Sequence, residues 1–198
     1  MKSSGDRRTA PLHVVVGASI GGDMVTDLAC HHSDRMRAAL VLEGAAYTPT
    51  FPDIFIYEHP HACPGWRDMM ERAAISSLYY PVSEEKVTET RWMHRYAPKE
   101  IAVADLECWA THDVRDKLGN ITCPTLIFKG EADYYLPEEL LDATVAGIRE
   151  GLAEKIVGPE MGHYPMFEQP ERLADICVDF LKRKGVAPRA ATSSTVAG

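Results

Sequence analysis

Three side chains in this sequence have the types and order needed for nucleophilic catalysis: Ser19, Asp133 and His163. A serine hydroxyl is a weak nucleophile at neutral pH. It needs an imidazole to take its proton during attack, and the imidazole needs a carboxylate to fix its tautomer and stabilise its cation. Ser19 sits in Gly17-Ala18-Ser19-Ile20-Gly21, a Gly-x-Ser-x-Gly pattern that holds its serine in a strained turn with Oγ exposed. Flanking residues without side chains let the adjoining strand and helix come that close. A helix opening directly after Ser19 aims free N–H groups, that of Ile20 first, at any oxyanion formed there. Asp133 ends the run Lys129-Gly130-Glu131-Ala132-Asp133, and His163 ends the loop Gly158-Pro159-Glu160-Met161-Gly162-His163. Glu43 also follows an expected strand and competes with Asp133 as the acid, because triads are defined by geometry and not by position.

Elements must bring these distant residues together. Leu12 to Val16 reads as a strand buried on both faces, ending at Gly17. The following helix carries Met24, Val25, Leu28 and Ala29 on one stripe and ends at His31-His32-Ser33-Asp34. Ala38 to Leu42, Thr125 to Phe128 and Lys155 to Val157 read as further strands. Pro137 starts a helix with Leu140, Leu141, Thr144, Val145 and Ile148 on one face, and Pro170 starts another with Leu173, Ile176, Cys177, Phe180 and Leu181 inward. Strands alternating with helices predict an α/β fold: a parallel sheet of about four strands flanked by helices. Functional groups in such sheets collect at the carboxyl ends of the strands, where Ser19, Asp133 and His163 all fall.

Residues 49–111 differ in character. Prolines at 49, 52, 60 and 64 break up the first part; Trp66, Met69, Met70, Ala73 and Ala74 then recur at helical spacing. Ser83 caps a second helix, and Pro98 starts a third with Ile101, Leu106 and Trp109. This segment reads as an inserted helical cap over the sheet, its aromatics either lining a substrate cavity or forming the insertion's own core. The division is then a disordered leader 1–10, an α/β core of 11–48 and 112–184, the insertion 49–111, and a disordered tail 185–198.

Composition narrows the partners. A net charge of −8 argues against general nucleic-acid or anionic-membrane binding. No apolar run is long enough to span a bilayer, and Met1 to Ala10 has no signal-peptide core. Five scattered cysteines (Cys30, Cys63, Cys108, Cys123 and Cys177) suggest reduced thiols and a cytoplasmic location. His59, His61 and Cys63, and likewise Cys30, His31 and His32, lack ligand spacing with a second half-site, so no metal is expected. The turn after Val16 lacks both the spaced glycines of a dinucleotide fingerprint and the lysine of a phosphate loop, so no cofactor is expected and a nucleotide-binding reading is weak.

From Leu12 to Lys182 the chain resembles the α/β-hydrolase fold family, over its strands five to eight. The resemblance rests on Gly17-Ala18-Ser19-Ile20-Gly21-Gly22, on Cys123-Pro124-Thr125-Leu126-Ile127-Phe128-Lys129-Gly130-Glu131-Ala132-Asp133, and on Gly162-His163-Tyr164-Pro165. It implies Ser19 as nucleophile, Asp133 as acid and His163 as base, with the insertion as the family's helical cap. It implies a serine hydrolase acting on an ester, lactone or related acyl compound, carbon–carbon bond hydrolysis being a variant on the same triad. Aspartate-dependent dehalogenase and epoxide-hydrolase chemistry does not fit a serine at the elbow.

The sequence departs from that family in one respect. Four strands normally precede the elbow strand, and the loop after the third supplies a second oxyanion N–H. Only about ten polar residues precede Leu12 here, and loss of one such donor typically costs about two to three orders of magnitude in turnover. The strand Leu12 to Val16 would also present an open edge suited to pairing with a second copy. Three expectations follow: a piece of a longer hydrolase, a homodimer through that edge, or a non-catalytic binding module that keeps the fold. An intact parent is expected to be active and this chain alone weakly active or unstable.

Overall fold

The computed structural model describes residues 13–49, 65–79 and 81–186. The expected leader, Leu12, the His59, His61 and Cys63 loop and the tail from residue 187 lie outside the described residues. Among the described residues four strands form one sheet: β1 (His13–Ala18), β2 (Met36–Leu42), β3 (Thr125–Gly130) and β4 (Ala153–Gly158), in the order β1-β2-β3-β4. All three pairings are parallel. Parallel neighbours need crossovers, which helices provide. α1 (Ile20–His32) lies between β1 and β2, and α2 (Trp66–Ser76), α3 (Glu84–Tyr96) and α4 (Lys99–Ala110) lie between β2 and β3. α5 (Glu138–Gly147) joins β3 to β4, and α6 (Pro165–Glu168) and α7 (Pro170–Arg183) follow β4.

Strand side chains alternate between two apolar layers. Ala39, Val41 and Ile127 pack with Val25 and Ala29 of α1 and with Leu140 and Leu141 of α5. Leu40, Leu42, Leu126 and Phe128 pack with Met161 and with Leu173 and Phe180 of α7. β3 is buried along its whole length, which fits its place between two other strands.

Two expectations about the first βα unit change. β1 continues through Gly17 and Ala18 and turns at Ser19, and it is not buried on both faces: Val16 is 55% exposed, because β1 is an edge of the sheet. In α1, Met24 and Leu28 face outward, and the buried side is Gly22, Val25, Thr26, Ala29 and Cys30. Small residues decide this. A Cβ on Gly22 would stand 2.7 Å from the Leu42 carbonyl oxygen, so only glycine lets α1 lie this close to the end of β2.

The helical insertion follows its sequence signals. Ser83 Oγ accepts the Lys86 N–H at 3.3 Å, and Pro98 stands immediately before α4. Arg95 donates to both Asp68 and Glu71, which ties α3 to α2. Its aromatics divide: Trp66 is buried, whereas Trp92 stacks on Tyr96 with both rings exposed.

Candidate active site

Each expected site residue lies at the carboxyl end of a strand. Ser19 follows β1, in the left-handed region at φ 54°. A serine there is strained by roughly 1–3 kcal/mol and persists only where the surroundings fix it. Here its N–H donates to the Leu42 carbonyl at 2.9 Å, and its own carbonyl accepts from Gly22 and Asp23. Gly17 makes the turn feasible, since a Cβ at this position would run into the Gly21 carbonyl. The Ile20 N–H opens α1 and has no acceptor within the helix.

Asp133 and His163 occupy the loops after β3 and β4. His163 Nδ1 lies 2.8 Å from Asp133 Oδ2, and Nε2 lies 2.9 Å from Ser19 Oγ. An ionised carboxylate can only accept, so Nδ1 carries the ring proton and Nε2 offers its lone pair to the serine hydroxyl. Burial raises the Asp133 carboxyl, but hydrogen bonds from His163 and Glu43 outweigh it and hold the group below the usual carboxylate range. Tyr135 N–H adds a bond to Asp133 Oδ1 at 2.8 Å. Tyr135 and Tyr164 flank the imidazole edge-on, with ring centroids 4.9 and 5.2 Å away.

Glu43 lies beside this relay but does not reach the imidazole: Nδ1 of His163 is bonded to Asp133. Its Oε1 accepts the Gly130 N–H at 2.7 Å, and burial pushes its carboxyl up to about 11. One ligand-type atom each from Glu43, Asp133 and His163 lies within 4.8 Å of the others, the one such cluster among the described residues. Glu43 Oε1 is bonded to the Gly130 N–H and Asp133 Oδ2 to His163, while Glu43 Oε2 is buried without a hydrogen-bond partner among the described residues.

Several supporting groups were not foreseen. Glu168, in α6, accepts three backbone N–H groups: Gly162 at 2.7 Å, Tyr164 at 3.1 Å and Tyr79 at 3.2 Å. It therefore holds both flanks of His163 and ties them to the helical insertion, while the His163 N–H donates to the Ser77 carbonyl at 2.8 Å. Two of its donors are near in sequence, Gly162 and Tyr164, but the third, Tyr79, comes from the helical insertion. Lys129 has a signal, a cation inside an apolar strand; its buried Nζ donates to the carbonyls of Asp133 and Leu136 and so clamps the loop after β3. Asp23 accepts the Ala45 N–H at 2.8 Å, and burial pushes its carboxyl up to about 6. From the insertion, His94 Nε2 meets the Tyr164 hydroxyl at 2.9 Å, its Nδ1–H being directed at the Thr90 carbonyl.

The family model described as serine aminopeptidase, S33, matches residues 3–170. The chain belongs to the S33 family of α/β-hydrolases. This S33-family chain superposes on solved structures of the same fold. An enol-lactonase from Burkholderia xenovorans LB400 shares 18% identity at a TM-score of 0.74, covering 87% of this chain and 66% of that one. An esterase from Thermogutta terrifontis shares 26% identity at a TM-score of 0.69, covering 86% and 64%. A bromoperoxidase from Bacillus anthracis shares 17% identity at a TM-score of 0.74, covering 85% and 67%. The chain thus spans just under two-thirds of the enol-lactonase and the esterase. Among the described residues, no helix is long and apolar enough to cross a membrane.

Proposed function

We propose that this chain carries the catalytic centre of a serine hydrolase that cleaves an ester, lactone or related acyl bond. The reading rests on one observation, the continuous chain Ser19 Oγ, His163 Nε2, His163 Nδ1, Asp133 Oδ2 with links of 2.9 and 2.8 Å. The names of the lactonase and the esterase, as those of similar structures, agree with this substrate class.

In this mechanism Ser19 Oγ attacks the substrate carbonyl carbon as His163 Nε2 takes the hydroxyl proton. Asp133 holds the imidazolium, and the Ile20 N–H faces the developing oxyanion. Collapse of the tetrahedral intermediate breaks the bond to the leaving group, which takes the proton from Nε2 and departs. A water molecule, deprotonated by the same nitrogen, then attacks the acyl-enzyme and releases the acid and free Ser19. Tyr135 and Tyr164 restrict where the imidazole can swing. The substrate's acyl group would meet the insertion side of the site, from which Ser77, Tyr79 and His94 reach the histidine loop.

A panel of short aryl esters and lactones tests the reading. Turnover above background that disappears in Ser19→Ala supports it; turnover unchanged in Ser19→Ala ends it. The exposed edge of β1 makes a homodimer the matching proposal for assembly, checked by sedimentation of the purified chain and overturned by a monomer at all concentrations.

A further inference from the structure

We propose that Glu43 acts as a neutral carboxylic acid that donates a hydrogen bond to the Asp133 carboxylate, and so positions the acid that orients His163. This rests on the triad reading above and extends it to a fourth residue.

The geometry carries the argument. Glu43 is 2% exposed and Asp133 3%, so water cannot solvate two negative charges there. A carboxylate oxygen of Glu43 lies within 4.8 Å of one of Asp133, and two ionised carboxylates have only acceptors to offer each other. A proton held between them removes the repulsion. Oε1 of Glu43 already accepts the Gly130 N–H, while Oε2 is buried and has no N–H or hydroxyl donor. An O–H on Oε2 directed at Asp133 satisfies both groups. The proton belongs on Glu43 because Asp133 receives donors from His163 and Tyr135, whereas Glu43 receives one, from Gly130. The other charged groups around Glu43 do not reverse this. Lys129, on β3, spends its ammonium on two loop carbonyls, and Asp23, on α1, is bound to Ala45.

The backbone adds an independent mark. Glu43 is at φ 49°, in the left-handed region, although it is not glycine. Strain of this kind survives where a side chain must be aimed. The Glu43 N–H donates to the Phe128 carbonyl at 2.8 Å, which pins the end of β2 to β3 in this posture. Ser19 and Glu43, the residues just past β1 and β2, are both strained this way. A neutral donor on Asp133 does two things. It stops the carboxylate from rotating away from Nδ1, and it moderates the negative charge that faces the imidazole.

The test combines a spectrum with a labelling rate on the 198-residue chain. Carbon-13 labelling of glutamate gives an infrared C=O band for each protonated carboxyl. One such band persisting at about pH 8, where ordinary glutamates are ionised, and missing from Glu43→Gln, supports the proposal. No persistent band overturns it. The second arm is the pH profile of Ser19 labelling by a fluorophosphonate. Glu43→Gln keeps a neutral donor and should keep the rate and its acid limb. Glu43→Leu should slow labelling roughly tenfold and move the acid limb to higher pH, since Asp133 then presents its full charge. A limb unmoved in Glu43→Leu, or Glu43→Gln as impaired as Glu43→Leu, reduces Glu43 to a packing residue and overturns the proposal. If Ser19 of the unaltered chain does not label at all, the triad reading fails, while the infrared arm still decides the state of Glu43.

Discussion

The sheet and the helical insertion are built to different rules. Every residue of β3 is buried, and Ala38 to Leu42 of β2 are at most 5% exposed. In the insertion, α4 buries no residue, α3 buries only Thr90, and Trp92, Met93, Tyr96 and Ile101 are exposed. Yet the insertion touches the site where it matters, through Ser77, Tyr79 and His94. The rigid part fixes the geometry of Ser19, Asp133 and His163, and the loosely packed part lies against the histidine loop, where the proposed function has it meet substrate. Sites held within a few tenths of an ångström belong on such rigid elements, and specificity can then vary without disturbing the relay.

Mutations at the strand ends should have the largest effects. Asp133→Asn should lower turnover by roughly four orders of magnitude, since the wrong imidazole tautomer would face Ser19; ester kinetics check this. In the sheet, Phe128→Ala should cost about 3–5 kcal/mol by leaving a cavity between β3 and α7, read from denaturant unfolding. An equal loss from Trp92→Ala in the insertion would erase the contrast between the two regions.

Acid–base chemistry sharpens the same contrast. Burial pushes the Glu43 carboxyl from its ordinary 4.5 up to about 11, so the folded state keeps a proton that the unfolded chain releases. Stability contributed by this group therefore falls as pH rises above about 4.5, by up to about 1.4 kcal/mol per pH unit. Asp23 acts in the same direction only up to about pH 6. Asp133, with its folded value lowered below 3.8, is ionised in both states above about pH 6 and adds no slope there. Between about pH 7 and 9, Glu43→Gln should flatten the stability profile, and an unchanged slope would remove Glu43 as its source. The seam between the two regions should show a smaller effect. Glu168→Ala should slow Ser19 chemistry about tenfold, because three N–H groups around the histidine loop lose their acceptor. Trp92→Ala should change stability least, by about 0.5 kcal/mol or less, while altering KM for bulky esters.

The sequence made the sheet legible because its signals are local. Short β-branched runs end in Gly-x-Ser-x-Gly, in Gly-Glu-Ala-Asp and in Gly-His, and these placed Ser19, Asp133 and His163 at three strand ends before any coordinates. On α1 the expected stripe holds for Val25 and Ala29 but not for Met24 and Leu28, because the helix lies against the end of β2 on the side of Gly22 and Thr26. Glu168 stayed hidden because Tyr79, one of its partners, lies 89 positions away. The relation of Glu43 to Asp133 needed distances, since a strand-end glutamate reads equally as rival acid or as helper.

The central claim is that Ser19 is a nucleophile made reactive by His163. It is tested most directly by intact-mass and peptide analysis of the chain after reaction with a fluorophosphonate. The account predicts a single adduct on the peptide holding Ser19, formed faster in the unaltered chain than in His163→Ala, where only the background rate remains. An adduct elsewhere, or one formed equally fast in His163→Ala, would contradict it.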